Sequence, residues 1–241
     1  MTRKVFLEIK IGDIEAYTDA LNRYNKAKAW VKQWSSTYGF ASDNLDELES
    51  EDKETLRDIL SSDPTATSEQ WIIEAPLPLK GGKVVIDLME KECPKTCENF
   101  VQLCVGGKVG KSSKKPLFFK GTRMFRLVKD FMVQGGDVTR GDGSGGDSIY
   151  NGKFNDEKPG LAKKFNKAGL LAMANSGKNS NTSQFFMTLG DKHPQFEKIN
   201  GKYVIFGQVV EGLDVLQQIN QVNEIKENPQ ETITVTDCGE M

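Results

Sequence analysis

The sequence predicts a mainly β protein: a closed, eight-stranded antiparallel β-barrel capped by two α-helices and carrying a separate α-helical region. Three observations lead there. Short apolar stretches separated by glycines recur from residue 83 onward. Glycine is abundant, at 23 of 241 residues. Between residues 13 and 79 the apolar period changes from two to three and four, which is a helix rather than a strand period. Charge divides along the same line, because 13–79 holds 14 acids and 6 bases, a net −8, against +6 for the remainder.

The elements follow in order. In KVFLEIKIG (4–12), Val5, Leu7, Ile9 and Ile11 alternate with Phe6, Glu8 and Lys10, a half-buried strand. From Asp13, the residues Ile14, Tyr17, Leu21, Tyr24, Ala27, Val31 and Trp34 form one helical stripe, ended by Gly39. A second helix is expected over 51–61 and a Pro/Gly connector over 75–82. Val84 to Leu88 is a strand. Pro94 opens a helix with the face Cys97, Phe100, Val101 and Cys104. Strands are then expected at 122–128, 131–135, 169–174, 184–189 and 203–210, a helix at 211–221, and a last strand from Thr232 to Val235.

Several function classes are disfavoured by the same reading. His193 is the single histidine, so His-rich metal sites and Ser-His machinery are not expected. It reads as a surface-loop residue. Cys93 and Cys97 have no further ligands nearby, so no metal and no cofactor is expected. The run GDGSGG (141–146) lacks the strand-turn-helix setting of a phosphate loop. No apolar run suits a membrane span. Acids in the first apolar stretch argue against a targeting peptide, which points to a cytoplasmic protein. Neither nucleic acid nor membrane is expected as a partner, and the chain is expected to be a monomer by itself.

Five segments carry a resemblance. CPKTCENFVQLC, FRLVKDFMVQGG, GSGGDSIYNGKF, LAMANSGKNSNTSQFF and YVIFGQVVEGLDVL resemble the cyclophilins, peptidyl-prolyl cis-trans isomerases, in the family's order and near its spacings. VFLEIKIGD (5–13) and GGKVVIDLM (81–89) resemble the two strands of the family's first hairpin. The resemblance therefore implies a discontinuous barrel domain, 1–13 and 80–241, with 14–79 as an acidic helical insertion. GGKVGKSSKKPLFFKGT resembles the expanded loop of divergent-loop cyclophilins, whose proposed redox pair corresponds to Cys104 and Cys238. The bland reading of those two residues is buried core thiols.

By position, the resemblance implies that Arg126 is the donor aimed at the twisting amide and that Phe131, Met132 and Phe186 form the proline slot, with Ile199 on its rim. Gln134, Asn175 and Gln184 would hold the peptide backbone and orient Arg126. Gly143 and Ala174 would line the groove. Ser176 and Lys153 fall where the family reads residues two or three before proline. Phe125 and Tyr203 stand where the family has His. The family's rim Trp is missing; Phe196 or Lys198 is expected in its place, and cyclosporin binding is expected to be weak. The implied partners are proline-containing peptides or proteins. The alternative is a weakly catalytic or non-catalytic proline-peptide-binding scaffold, docked to a protein partner through 14–79, where Trp30, Trp34 and Trp71 all lie.

Overall fold

The computed structural model describes residues 3–241. In chain order the elements are β1 (Lys4–Ile11), α1 (Ile14–Tyr38), α2 (Ser50–Ser62), α3 (Pro64–Ser68), β2 (Lys80–Leu88), α4 (Pro94–Val105) and the two-residue strands β3 (Lys108–Val109) and β4 (Pro116–Leu117). There follow β5 (Arg126–Val128), β6 (Met132–Gly135), α5 (Lys158–Ala162), β7 (Leu170–Met173), β8 (Phe185–Thr188), α6 (Pro194–Ile199), β9 (Ile205–Glu211), α7 (Leu213–Asn220), β10 (Glu224–Ile225), β11 (Asn228–Pro229) and β12 (Ile233–Glu240).

Alternation in the first strand survives in three dimensions: Val5, Leu7, Ile9 and Ile11 are buried, while Phe6, Glu8 and Lys10 are not. Eight strands form one antiparallel sheet in the order β12-β1-β2-β9-β7-β8-β6-β5. Its inner face holds the main core, where Phe100 of α4 meets Phe119, Phe185 and Phe206 at centroid distances of 5.0, 5.1 and 5.2 Å. These tilted and edge-on contacts suit the aromatic quadrupole.

The expectation of a closed barrel is corrected here. The outermost strands, β12 and β5, share no ladder. One bridge, Arg123↔Thr234, and the bonds Met124 N→Ile233 O (2.8 Å) and Val235 N→Thr122 O (3.0 Å) join β12 to the residues just ahead of β5. The strand expected over 122–128 is thus divided: its first half faces β12, and Arg126–Val128 pair with β6. Closure would need one strand laddered on both edges, and no residue of this segment serves both. Two caps, α4 and α7, stand where they were expected. The short helices α5 and α6 are additional.

Residues 13–79 form a compact unit of their own, distinct from the unit made by residues 1–12 with 80–241. They leave and re-enter the chain between β1 and β2, which pair from Lys4↔Asp87 to Ile11↔Lys80. Asp13 caps α1 by accepting from Ala16 N at 3.0 Å, and Gly39 ends it at φ +74°. Tyr24, Ala27 and Val31 of α1 close over Leu45, Leu48, Leu56 and Leu60. The stripe ends differently from the expectation: Ser35 is buried and Trp34 is 41% exposed. Helical spacing allows either position beside Val31, and the buried stripe runs on through Tyr24, Ala27, Val31 and Ser35.

Candidate active site

Period two places the site. On β6, β8 and β7, the residues Val133, Phe185, Met187, Leu171 and Met173 belong to the main core. Their neighbours Met132, Phe186, Ala172 and Ala174 belong to a second apolar cluster with Phe131, Phe165 and Phe196. Alternation sends one set to each face of the sheet. Register then aligns the chemistry, because Arg126 pairs with Gln134, Gln134 with Phe186, and Phe186 with Ala172. Charged donor, amide and apolar floor are a single cross-strand row. A slip of one residue would turn the whole row into the core.

Above this row lies a cavity of about 390 Å³ lined by Arg126, Phe131, Met132, Gln134, Ala174, Asn175, Phe186, Ile199 and Tyr203, together with His193 and Glu227. Phe131, Met132 and Phe186 are 9%, 3% and 5% exposed, so their inner surfaces are fixed by packing and only their tops face the cavity. Tyr203 meets Phe186 edge-on at 5.4 Å. Arg126 Nη1 donates to Gln134 Oε1 at 3.3 Å, and its Nε donates to Glu227 Oε2 at 2.6 Å. The Glu227 carboxyl is held below its ordinary range by Arg126. Asn175 donates to Lys202 O at 2.8 Å and accepts from Gly177 N at 3.1 Å.

A second cavity, of about 670 Å³, shares Gln134, Ala174 and Asn175 with the first. Gly143, Lys153, Ser176 and Gln184 line it. The two are joined by side-chain amides: Gln134 Nε2 donates to Gln184 Oε1 (2.9 Å), and Gln184 Nε2 donates to Gly143 O (2.9 Å) and Gly145 O (2.6 Å). Asp137, 2% exposed, organises the glycine-rich loop behind them. It accepts from the backbone N–H groups of Thr139, Arg140, Gly143 and Gly145. Burial pushes its pKa up, but these donors and the Thr139 hydroxyl outweigh burial and bring it down to about 2.

Phe125 lines neither cavity. Its ring lies against Gly143, where a Cβ would come within 2.4 Å of it. Cys104 and Cys238 are free and buried. Burial raises Cys104 well above its ordinary pKa, with Cys238 adding to the effect; burial also lifts Cys238, to about 11. Burial thus disfavours the thiolate, the reactive form, at both residues. No group of metal-ligating residues occurs among the described residues, and no helix there is long and apolar enough to cross a membrane.

Two residues were missed by sequence reasoning. His193 lies in a half-buried loop ahead of α6, as expected, but its ring also stacks on Phe131 at 4.8 Å and 23° and lines the smaller cavity. Phe196 is 4% exposed and belongs to the cluster beneath, and Lys198 is exposed; neither lines that cavity. The segment forms α6, with Pro194 in its first turn and His193 as its cap, Nδ1 accepting from Gln195 N at 3.2 Å. The His-Pro pair was the available signal. Glu227 had none, because it sits in a turn where Lys226 and Glu227 take φ +52° and +66° without glycine.

Comparison with known families agrees with this geometry. The sequence model of the family described as Cyclophilin type peptidyl-prolyl cis-trans isomerase/CLD matches residues 77–240. That span contains both cavities, the Arg126 row and every strand of the main sheet except β1. The chain therefore belongs to the cyclophilin-type peptidyl-prolyl cis-trans isomerase family.

Proposed function

We propose that this chain is an active prolyl isomerase, catalysing rotation about Xaa-Pro bonds in peptides and proteins. The observation that carries the reading is the row Arg126–Gln134–Phe186, which sets a permanent cation beside an apolar floor in one cavity. Rotation is slow because amide resonance sets a barrier of ~18–20 kcal/mol. Twisting localises the lone pair on the prolyl nitrogen. A donor aimed at that nitrogen, with the ring held in an apolar slot, lowers the barrier without any covalent step. Arg126 is suited to this by its planar, always-protonated fork. Phe131, Met132 and Phe186 take the proline ring, and Gln134 and Asn175 hold the flanking backbone. Glu227 and Gln134 keep the guanidinium from folding away.

The test is exchange NMR on a short Xaa-Pro peptide. Wild type is expected to accelerate exchange and Arg126→Ala to lose most of that acceleration; binding without acceleration in the wild type would end the enzyme reading. Cyclosporin is expected to inhibit weakly, since His193 rather than a Trp stands over Phe131, and a nanomolar inhibition constant would overturn this.

The 13–79 unit is read as an insertion into the first hairpin, supported by the direct pairing of β1 with β2 and by a family match that begins at residue 77. A scaffold role, docked through this unit, is the second reading. It is favoured by Trp34 and Tyr38, which are 41% and 49% exposed. Acrylamide quenching of the isolated protein tests it, because full protection of all the tryptophans would leave no aromatic face to dock. The free cysteines suit a reducing compartment, and the cytoplasm is the proposed location.

A further inference from the structure

We propose that the second cavity takes an anionic side chain, carboxylate or phosphate, from the same bound chain whose proline occupies the first, which makes acidic or phosphorylated Xaa-Pro segments the preferred substrates. The inference rests on the isomerase-family reading of the first cavity.

Three cations line the second cavity, Lys115, Arg140 and Lys153, and no acidic side chain lines it. Among the described residues none of the three makes an ion pair. Arg140 Nη1 reaches only the Ser144 hydroxyl, at 3.3 Å. Hydroxyls of Ser176 and Thr182 complete the wall and suit an oxyanion acceptor.

The cations come from three separate loops, and two of these are held in place by buried carboxylates that are already occupied. Asp147, 1% exposed, accepts from Ser113 N at 2.8 Å, and the Ser113 hydroxyl accepts from Lys115 N at 3.2 Å. A Cβ at Gly110 would meet Asp147 Oδ2 at 2.2 Å, so the lysine-rich loop sits close against this anchor. Asp137 holds Arg140 N in the same manner, at 3.0 Å. Asp142, on the same loop, is engaged by Ser144 N and its hydroxyl at 2.9 and 2.6 Å. The local carboxylates thus serve the backbone, and the cations are left facing the cavity.

Because the two cavities share Gln134, Ala174 and Asn175, one extended chain passes through both. An uncharged or apolar side chain there would leave the cations hydrated and gain nothing from them. An anion gains the field of all three.

The test uses the full chain and a family of Xaa-Pro peptides in which Glu, Gln, Ser or phosphoserine is walked from three residues before the proline to three after. Exchange rate and Kd are both read. At one position Glu is expected to exceed Gln by about 2- to 5-fold at low salt, with phosphoserine stronger because it carries more charge. The Glu-to-Gln ratio is expected to fall towards one in K115A/R140A and at high salt. Equal Glu and Gln values at every position would overturn the proposal, as would a preference that survives both the double substitution and salt. If no peptide is turned over, the catalytic reading has failed, and the Kd ratio still decides this one.

Discussion

The two cavities share three residues but are built differently. The smaller one stands on strands: Arg126, Gln134 and Phe186 are successive ladder partners, Met132 lies two residues before Gln134 on β6, and beneath them lies a packed aromatic cluster. The larger one is made almost wholly of loop residues, held by carboxylates and side-chain amides. Ladder registry and core packing place atoms to a fraction of an ångström and resist change. Loops held by a few hydrogen bonds can vary in length and charge. On the proposed function, the difference separates reaction from selectivity, with the chemistry assigned to the strands and the choice of partner to the loops.

The largest break in the comparison should come from the strand side. Arg126→Ala removes the donor without disturbing the floor, and isomerisation is expected to fall ~10²–10³-fold, the scale seen when one transition-state donor is lost. Peptide affinity, read by NMR titration, should change far less. A loss of affinity as large as the loss of rate would mean that Arg126 anchors the ground state instead.

Next comes the loop side. Asp137→Asn should lower stability by ~2 kcal/mol, from the depression of its pKa from 3.8 to about 2. A carboxyl whose folded pKa is depressed stabilises fully above its unfolded value and loses this as pH falls through the folded one. Wild type should therefore lose stability between about pH 4 and 2 relative to the Asn variant, whose curve should run flatter there, as followed by denaturant melts. Equal slopes would show that the loop does not depend on this charge.

A smaller effect is expected at the rim. His193→Ala removes the ring stacked on Phe131, and stacking of this kind is worth ~0.5–1.5 kcal/mol; KM should rise ~3–10-fold with kcat nearly unchanged. The smallest is Glu227→Gln. Its pair with Arg126 is 41% and 50% exposed at the side chains, where such pairs contribute only ~0–1 kcal/mol. Less than ~5-fold in rate is expected. Wild-type activity should fall only below the ordinary glutamate range, as Glu227 takes up its proton, and the Gln variant should lack that step. A step above that range would assign it to another group.

Most of the strand side was legible through the family resemblance, since the quoted motifs carry Arg126, Phe131, Met132, Gln134 and Phe186, and the structure lines one cavity with all five. Closure was not, because which neighbour residues 122–124 choose is decided by tertiary pairing rather than by local pattern. The burial of Ser35 in place of Trp34 was not legible, because both positions are compatible with helical spacing from Val31 and tertiary packing chooses between them. His193 was readable from the proline after it. Glu227 was not, because two left-handed non-glycine residues in succession are imposed by context and leave no trace in composition. Leu127 N donates to Glu227 O at 2.8 Å, which ties that turn to β5.

The amides between the cavities also have a polarity. Every donor runs one way: Arg126 to Gln134, Gln134 to Gln184, Gln184 to the carbonyls of Gly143 and Gly145. Neither glutamine can be flipped alone, since a reversed amide would set oxygen against oxygen at one end and nitrogen against a donor at the other. Gln134→Glu, nearly identical in shape, has no N–H to pass on. Gln184 would then face a carboxylate with its oxygen, or turn and set that oxygen against two carbonyls. The usual isosteric exchange is therefore a wiring fault at this position, and its damage should surface at the glycine loop rather than at the site of substitution.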